Sequence, residues 1–436
     1  MLNTQKSPTK PLNQGQTEAA EGFFQFLFSD DPMFNLMGPA GHGKTFLMSY
    51  MIDEVMPRYI DTCALMGIKP LYTDVVMTAT TNQAAEVLHQ ATGRPTETIQ
   101  SFMNLTVKED FGTGESRLIP TRSWKVHTNL IIFVDEASTI DSVLLNYLKT
   151  GTDNCKIVFV SDHCQLGPIK ETISPIYQLP IDKFELTQPM RNAGSVELMQ
   201  LCDQLRDTVK TGVFHPIKIV KGVVDNLNDS EMESALFDLF VNNKTDSRIV
   251  AYSNPAVIDY NNYIRGERQL PVLITAGETL VSNSAIQTKS FRLSIQEEVT
   301  VLSVNPVLQM HTIDAAENIE LEVQILTLST ISGVFDIAVP TNWDFCSRLI
   351  KWYAKKKNWE RHYYLKKTYP DLRPKDASTV HKIQGSTCDT VLIDAGNLSS
   401  CHNPVVAARL LYVATSRARS RVIFYGDLAE KYGGFQ

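Results

Sequence analysis

The sequence predicts an α/β protein of two doubly wound parallel-sheet domains, each with a small insertion. Three features predict it. An apolar run at residues 33–37 leads into Gly38-Pro39-Ala40-Gly41-His42-Gly43-Lys44-Thr45, a G-x-x-x-x-G-K-T string, and a helical run at 46–55 follows. Apolar strands alternate with helical runs up to residue 162, and the alternation returns from Arg248 and again from Ser378. A chain of 436 residues is long enough for two or three domains with full cores.

Residues 12–16 sit ahead of a helical run at 17–28. Residues 74–78 read as a second strand and 82–90 as a helix. Between 104 and 127 the pattern breaks, and Asp110-Phe111-Gly112-Thr113-Gly114 is turn chemistry between two extended runs. This predicts a small hairpin inserted into the first domain. Residues 130–134 form a buried strand followed by Asp135-Glu136, and 156–160 another followed by Ser161-Asp162. A new unit is expected to begin at 186–191, with a helix at 195–210, a strand at 248–252 and a helix bearing Asn254, Asn261 and Arg265. Short alternating β runs between 275 and 340, such as 298–302, predict a small β-barrel. Residues 342–372 read as helical and basic. The expected domains are therefore 1–103 with 128–184, a hairpin at 104–127, 185–274 with 376–436, and a β-barrel with a basic helical arm at 275–375.

Hydrophobic residues make up 43% and charged residues 20%, the balance of an ordinary soluble protein. No run reaches the ~18 apolar residues of a membrane span, and residues 1–10 lack an apolar signal core. Seven cysteines without any C-x-x-C, an odd count, suit free thiols in a reducing compartment. The nine histidines do not pair with cysteines at ligand spacing, which leaves Mg²⁺ as the expected metal. A net charge of -7 argues against a chain coated in nucleic acid. A local basic groove remains compatible with it, because screening makes the nearby field matter most.

The glycine loop lets backbone N–H groups converge on phosphate oxygens at a helix N-terminus. Lys44 is expected to reach the β and γ phosphates and the Thr45 hydroxyl to take Mg²⁺. Asp135, at a strand end, can hold the same ion, and Glu136 can activate the attacking water. Gln165 is placed to sense the γ-phosphate, although a polar turn reads equally well. Arg191 and Arg417 are candidates to stabilise charge on the transferring phosphoryl group, against the ordinary reading of solvated arginines.

These strings, with Ala79-Thr80-Thr81-Asn82-Gln83-Ala84-Ala85, Thr98-Ile99-Gln100-Ser101, Ser378-Thr379-Val380-His381-Lys382-Ile383-Gln384-Gly385-Ser386-Thr387 and Tyr412 to Arg419, resemble the motifs of superfamily 1 helicases of the RecD-like (1B) branch. The resemblance runs in the family's order over nearly the whole chain. It implies two RecA-like P-loop domains with ATP and Mg²⁺ between them. Gln16 would read adenine; Gly38, Gly41, Gly43, Lys44, Thr45 and Gly385 would bind the nucleotide. Arg191 and Arg417 would be the two arginine fingers. Single-stranded DNA would cross both domains past Asn82, Gln100, Thr379 and His381, with 5′ to 3′ movement, and the hairpin around Phe111 would be the wedge. Thr80, Gln100, Ser161 and Gly167 stand where the family pattern has Pro, His, Gly and Pro.

The segment 341–375 holds ten Lys or Arg against three Asp or Glu, with seven Trp or Tyr interleaved. It suits either DNA stacking or packing against hairpin and barrel, and packing is the preferred reading because related helicases brace the wedge with such an arm. Expected partners are single-stranded and fork DNA and a phage replication or single-strand-binding protein, with no membrane contact, for a monomer in the cytoplasm of a phage-infected bacterial cell. Two rivals remain: the same motor on RNA, and a nucleotide-gated binding or loading protein. Retention of Lys44, Glu136 and both arginines argues against an inactive copy.

Overall fold

The computed structural model describes residues 11–169, 171–188, 195–242, 245–288 and 291–436. The chain divides into two compact units, residues 1–104 with 120–193, and residues 105–119 with 194–436.

The first unit is built on a six-stranded sheet, parallel throughout, in the order Asp182–Glu185, Met33–Met37, Lys156–Ser161, Leu130–Asp135, Asp74–Ala79, Thr96–Thr98. Helices cover both faces, so the central strands are apolar without alternation and Lys156–Ser161 is buried at every position. The charge of Lys156 is accommodated because its Nζ donates to the carbonyls of Ser29 and Asp31, both at 2.7 Å. Phe23 and Phe26 from the helix Gln14–Phe28 meet Phe34 and Phe133 from the strands, all buried in one cluster. Each such ring contributes about 1.5–3 kcal/mol of apolar transfer. The helical run after the glycine loop continues past residue 55 to 65, through one π turn at Met51–Val55, and stops before Gly67, whose φ of +70° is left-handed.

The expected border at residue 185 is corrected. Asp182–Glu185 is an edge strand of the first sheet, the Leu186 N–H donates to the Met37 carbonyl, and Leu186 lies in the first core. The sequence at 186–191 marks a motif, and a motif need not coincide with the end of a core.

The second unit has a five-stranded parallel sheet in the order Val224–Leu227, Ala418–Tyr425, Cys388–Asp394, Ser247–Ala251, Ala377–Thr379. Between Ser247–Ala251 and Ala377–Thr379 the chain builds a six-stranded antiparallel sheet. The expected small β-barrel is a proposal that this sheet leaves open: among the described strands the pairing does not close into a ring, and small barrels are often only partly closed. The long strand Ile319–Thr330 serves two cores. Leu321 and Val323 face a core shared with the basic arm, whereas Leu326 and Leu328 face a core shared with the other strands. Both Val323 and Gln324 are buried, which is where the buried face switches parity.

The arm is two helices, Trp343–Lys355 and Trp359–Thr368, broken at Lys357, whose φ is +56°. The expected helix to residue 372 ends earlier, because Leu372–Pro374 returns to the antiparallel sheet as a strand beside Thr279–Ser282. Tyr353, Leu365 and Tyr369 are buried in the core that joins arm and sheet.

The hairpin is present as Leu105–Glu109 and Ser116–Pro120. By chain connection it falls between segments of the first unit; by packing, its residues 105–119 belong to the second unit, unlike the expected assignment to the first. Its turn lies on the arm. Tyr363 donates through its hydroxyl to the Gly114 carbonyl at 2.9 Å, Phe111 and Tyr363 meet edge to face at 5.3 Å, and Lys367 pairs with Glu109. Gly114 has φ +75°, and a Cβ there would collide with the Trp359 ring.

Among the described residues, no helix is long and apolar enough to cross a membrane. The seven cysteines are all free thiols.

Candidate nucleotide site and nucleic-acid interface

The glycine loop starts where the strand Met33–Met37 ends, and the Gly38 N–H donates to the Ser161 carbonyl of the adjacent strand at 3.0 Å. Gly41 and Gly43 have φ +81° and +82°, a region that costs any L side chain strain, so the turn requires both. The helix Lys44–Tyr50 begins directly behind them, and its first N–H groups have no acceptors within the helix. The Lys44 Nζ donates to two carbonyls of the loop itself, Gly38 at 2.7 Å and Pro39 at 3.1 Å. Its positive charge is thereby held at the centre of the loop.

Asp135 and Glu136 lie at the end of the strand Leu130–Asp135. Burial, and then the charge of Glu136 beside it, push the Asp135 carboxyl up to about 6. Lys44 and the Glu136 N–H, 2.9 Å from Oδ1, pull the other way. The fold has therefore gathered Lys44, Asp135 and Glu136 from two separate strand ends. The mutual repulsion of two carboxylates beside one lysine suits a divalent cation, and Asp135 and the Thr45 hydroxyl are the hard oxygen donors that Mg²⁺ takes.

Glu136 has φ +51°, which costs a non-glycine residue on the order of 1 kcal/mol. Thr80 holds it there. The Thr80 N–H donates to the Asp135 carbonyl at 3.3 Å and its hydroxyl to the Glu136 carbonyl at 3.1 Å, while the Thr139 hydroxyl donates to Thr80 Oγ1 at 2.7 Å. A proline, the residue of the family pattern, would supply neither donor. Spacing alone gave no sign of this role, because Thr80 and Thr139 are 59 residues apart.

Two further departures, Ser161 and Gly167, also have local reasons. Ser161 donates to Asn35 Oδ1 at 2.9 Å, between two buried strands. A Cβ at Gly167 would stand 2.7 Å from the Thr172 carbonyl oxygen, so the proline of the family pattern does not fit there. Gln165 is buried, its N–H on the Asp162 carbonyl. Asp162, His163 and Cys164 offer ligand atoms within 4.8 Å of one another, a trio of chain neighbours that His–Cys ligand spacing does not flag.

Gln16 is fully buried and shares a capping box with Asn13, each side chain accepting from the other's backbone N–H. Its Nε2 has no protein partner, so one donor remains beyond the structural role. Asn82 is the exposed first residue of the helix Asn82–Thr92, and Gln100 is half-buried in the short helix Ile99–Phe102. Phe111 is 55% exposed at the hairpin turn.

The second unit carries the remaining predicted residues. Thr379 is buried at the start of the helix Val380–Ile383, His381 is exposed on it, and Gly385 comes just after with φ +88°. Arg417 is 3% exposed, its guanidinium donating to the Val413 carbonyl, Ser416 Oγ and the Ser386 carbonyl. Arg191 lies outside the described residues.

Residues 11–216 match the family model of an AAA domain, and residues 376–425 that of the UvrD-like helicase C-terminal domain. The ATP-dependent DNA helicase dda of Enterobacteria phage T4 is 24% identical over 272 residues, 58% of this chain and 56% of that protein. The chain spans little more than half the length of that curated relative. Its fold is also that of a Bacteroides Pif1 helicase solved with ADP-AlF3 and single-stranded DNA, with a TM-score of 0.52 and 13% identity over 96% of this chain and 94% of that one. The two parallel sheets are its RecA-like domains.

Proposed function

We propose that this chain is an ATP-dependent DNA helicase of superfamily 1B that moves 5′ to 3′ on single-stranded DNA and unwinds duplex ahead of it. The observation that carries the proposal is the gathering of Lys44, Asp135 and Glu136 around the glycine loop. A lysine to hold phosphates, a carboxylate for Mg²⁺ and a second carboxylate for water are what nucleotide hydrolysis requires.

In this reading Lys44 leaves the Gly38 and Pro39 carbonyls for the β and γ phosphates of ATP. Thr45 and Asp135 hold Mg²⁺, which offsets charge on the phosphate oxygens when bound. Glu136 orients the attacking water and takes its proton. Gln165 answers to the γ-phosphate, and Gln16 donates from Nε2 to the base. Arg191 and Arg417 stabilise charge on the transferring group; Arg417 gives up its present carbonyl partners to do so. Asn82, Gln100, Thr379 and His381 meet the strand, and polar contacts to phosphate of this kind position a strand without reading its sequence. Phe111, at a turn braced by the arm, parts the duplex. Single-stranded and fork DNA are the partners, with a single-strand-binding or replication protein of the phage beside them. The setting is phage replication or recombination in the host cytoplasm.

The test is ATP hydrolysis with and without single-stranded DNA, then unwinding of 5′-tailed and 3′-tailed duplexes. Stimulation by DNA and unwinding of the 5′-tailed duplex alone are expected. Stimulation by RNA in place of DNA would redirect the proposal to an RNA motor, and hydrolysis that ignores both would end it.

A further inference from the structure

Between the parallel and antiparallel sheets of the second unit lies a pocket of about 20 Å³. Four buried polar atoms on its lining residues have no protein partner: Arg248 Nε, Gln296 Nε2, Arg373 Nη1 and Ser378 Oγ. Ser378 itself is 9% exposed. Each is a hydrogen-bond donor, and a buried donor left unpaired costs about 1–3 kcal/mol. Lys375 and Lys382 complete the lining's cations, and no carboxylate lines the pocket. The carboxylates that pair with these cations stand outside and are shared. Asp371 pairs with Arg373 at 2.7 Å, and Glu298 divides itself between Lys375 at 3.2 Å and Arg248 at 3.9 Å. Among the described ion pairs three of these cations share two carboxylates, and the fourth, Lys382, donates to Asn283 Oδ1. Burial and the charge of Arg373 lower the Lys382 pKa, as a cation excess should.

Size and charge together select the ligand. The pocket is too small for a base or a sugar and has room for an oxygen atom or two. Water accepts two hydrogen bonds per molecule but is neutral, so it can pair the donors and still leaves the cation excess unbalanced. Phosphate oxygens accept more and bring charge. Gln296 is held toward this chemistry in a left-handed backbone, φ +66°, by its N–H on the Ser282 carbonyl at 2.8 Å.

We infer that this pocket, formed by Arg248, Gln296, Arg373, Ser378 and Lys382, binds phosphate oxygens, from the backbone of a bound strand or from free phosphate. The first source rests on the proposed function; the second does not.

The variants are Gln296→Glu, which sets a carboxylate among the donors at constant volume, and Ser378→Ala, which removes one donor. Binding of a labelled single-stranded oligonucleotide is measured against salt, and thermal unfolding with and without millimolar inorganic phosphate at constant ionic strength. For the strand source, Gln296→Glu weakens binding about tenfold and flattens the log–log salt slope by about 0.7, one phosphate contact, with a smaller loss of affinity in Ser378→Ala. For the free source, the slope is unchanged and phosphate raises the melting temperature of the wild type but not of Gln296→Glu. If neither readout separates Gln296→Glu from the wild type, the inference is overturned. If the wild type binds no single-stranded DNA while phosphate protection still depends on Gln296, the pocket stands and the helicase reading falls.

Discussion

The two parallel sheets of this chain are built alike and equipped differently. The first ends in a glycine loop with left-handed Gly41 and Gly43, one lysine and two adjacent carboxylates. The second has no such loop; it offers a buried arginine, hydroxyls and a surplus of cations over carboxylates near residues 373–382. Both sheets are parallel with buried central strands, so the difference resides in the loops at the strand ends. Parallel sheets deliver loops to one edge, and the chemistry of those loops is free to diverge on a common scaffold. In the proposed reading, one sheet would hold a polyphosphate with a metal and the other oxyanions without one.

The largest expected effect tests whether the second sheet serves the first. Arg417→Ala should lower DNA-stimulated kcat for ATP on the order of 10³-fold with little change in KM. An unchanged kcat would make the two sheets chemically independent. On the first sheet, Glu136→Gln should cost about 10²–10⁴-fold in kcat while nucleotide binding persists, and binding lost along with turnover would assign Glu136 to the metal instead of the water. Thr80→Val sharpens the same side: loss of the hydroxyl bond to the Glu136 carbonyl should cost about 1 kcal/mol of stability, seen in a denaturant melt, together with a several-fold fall in kcat. A wild-type kcat would show that Glu136 keeps its left-handed backbone unaided.

Smaller effects concern the hairpin, which is connected to one unit and packed on the other. Gly114→Ala forces a side chain into a left-handed position against Trp359 and should cost about 1–3 kcal/mol locally. Unwinding of a forked duplex should fall several-fold with DNA-stimulated ATP hydrolysis intact; equal losses in both would mean that the brace is not specific to strand separation. The smallest effect is expected from Lys355→Ala, Lys356→Ala and Lys357→Ala combined. Lys356 already pairs with Glu317 at 3.1 Å and covers the Trp352 ring at 3.7 Å. An arm that packs instead of binding DNA leaves the salt slope of binding unchanged.

Much of this was legible before the structure. The strand at Met33–Met37 was readable to the residue, because an apolar run stops where the glycines begin. The ends of the other central strands were readable to within a residue or two for the same reason. The acidic pair Asp135-Glu136 at the end of Leu130–Asp135 was readable because strand and motif adjoin. Less legible were features whose cause lies far along the chain. That one strand, Ile319–Thr330, changes its buried face midway was not legible, because alternation over four or five residues hides such a switch. The border near residue 185 was misplaced because Leu186 is held by Met37, 149 positions earlier.

The order of strands, the phosphate-loop chemistry and the family are written in short continuous strings, since periodicity, glycine placement and adjacent charges are local properties that any copy of the string carries. Partnership is not local. That Thr80 steadies Glu136, that Trp359 requires Gly114 to lack a side chain, and that four donors from distant segments share one small pocket all depend on which surfaces meet when the cores close. A chain of side-chain identities does not contain those distances until packing creates them.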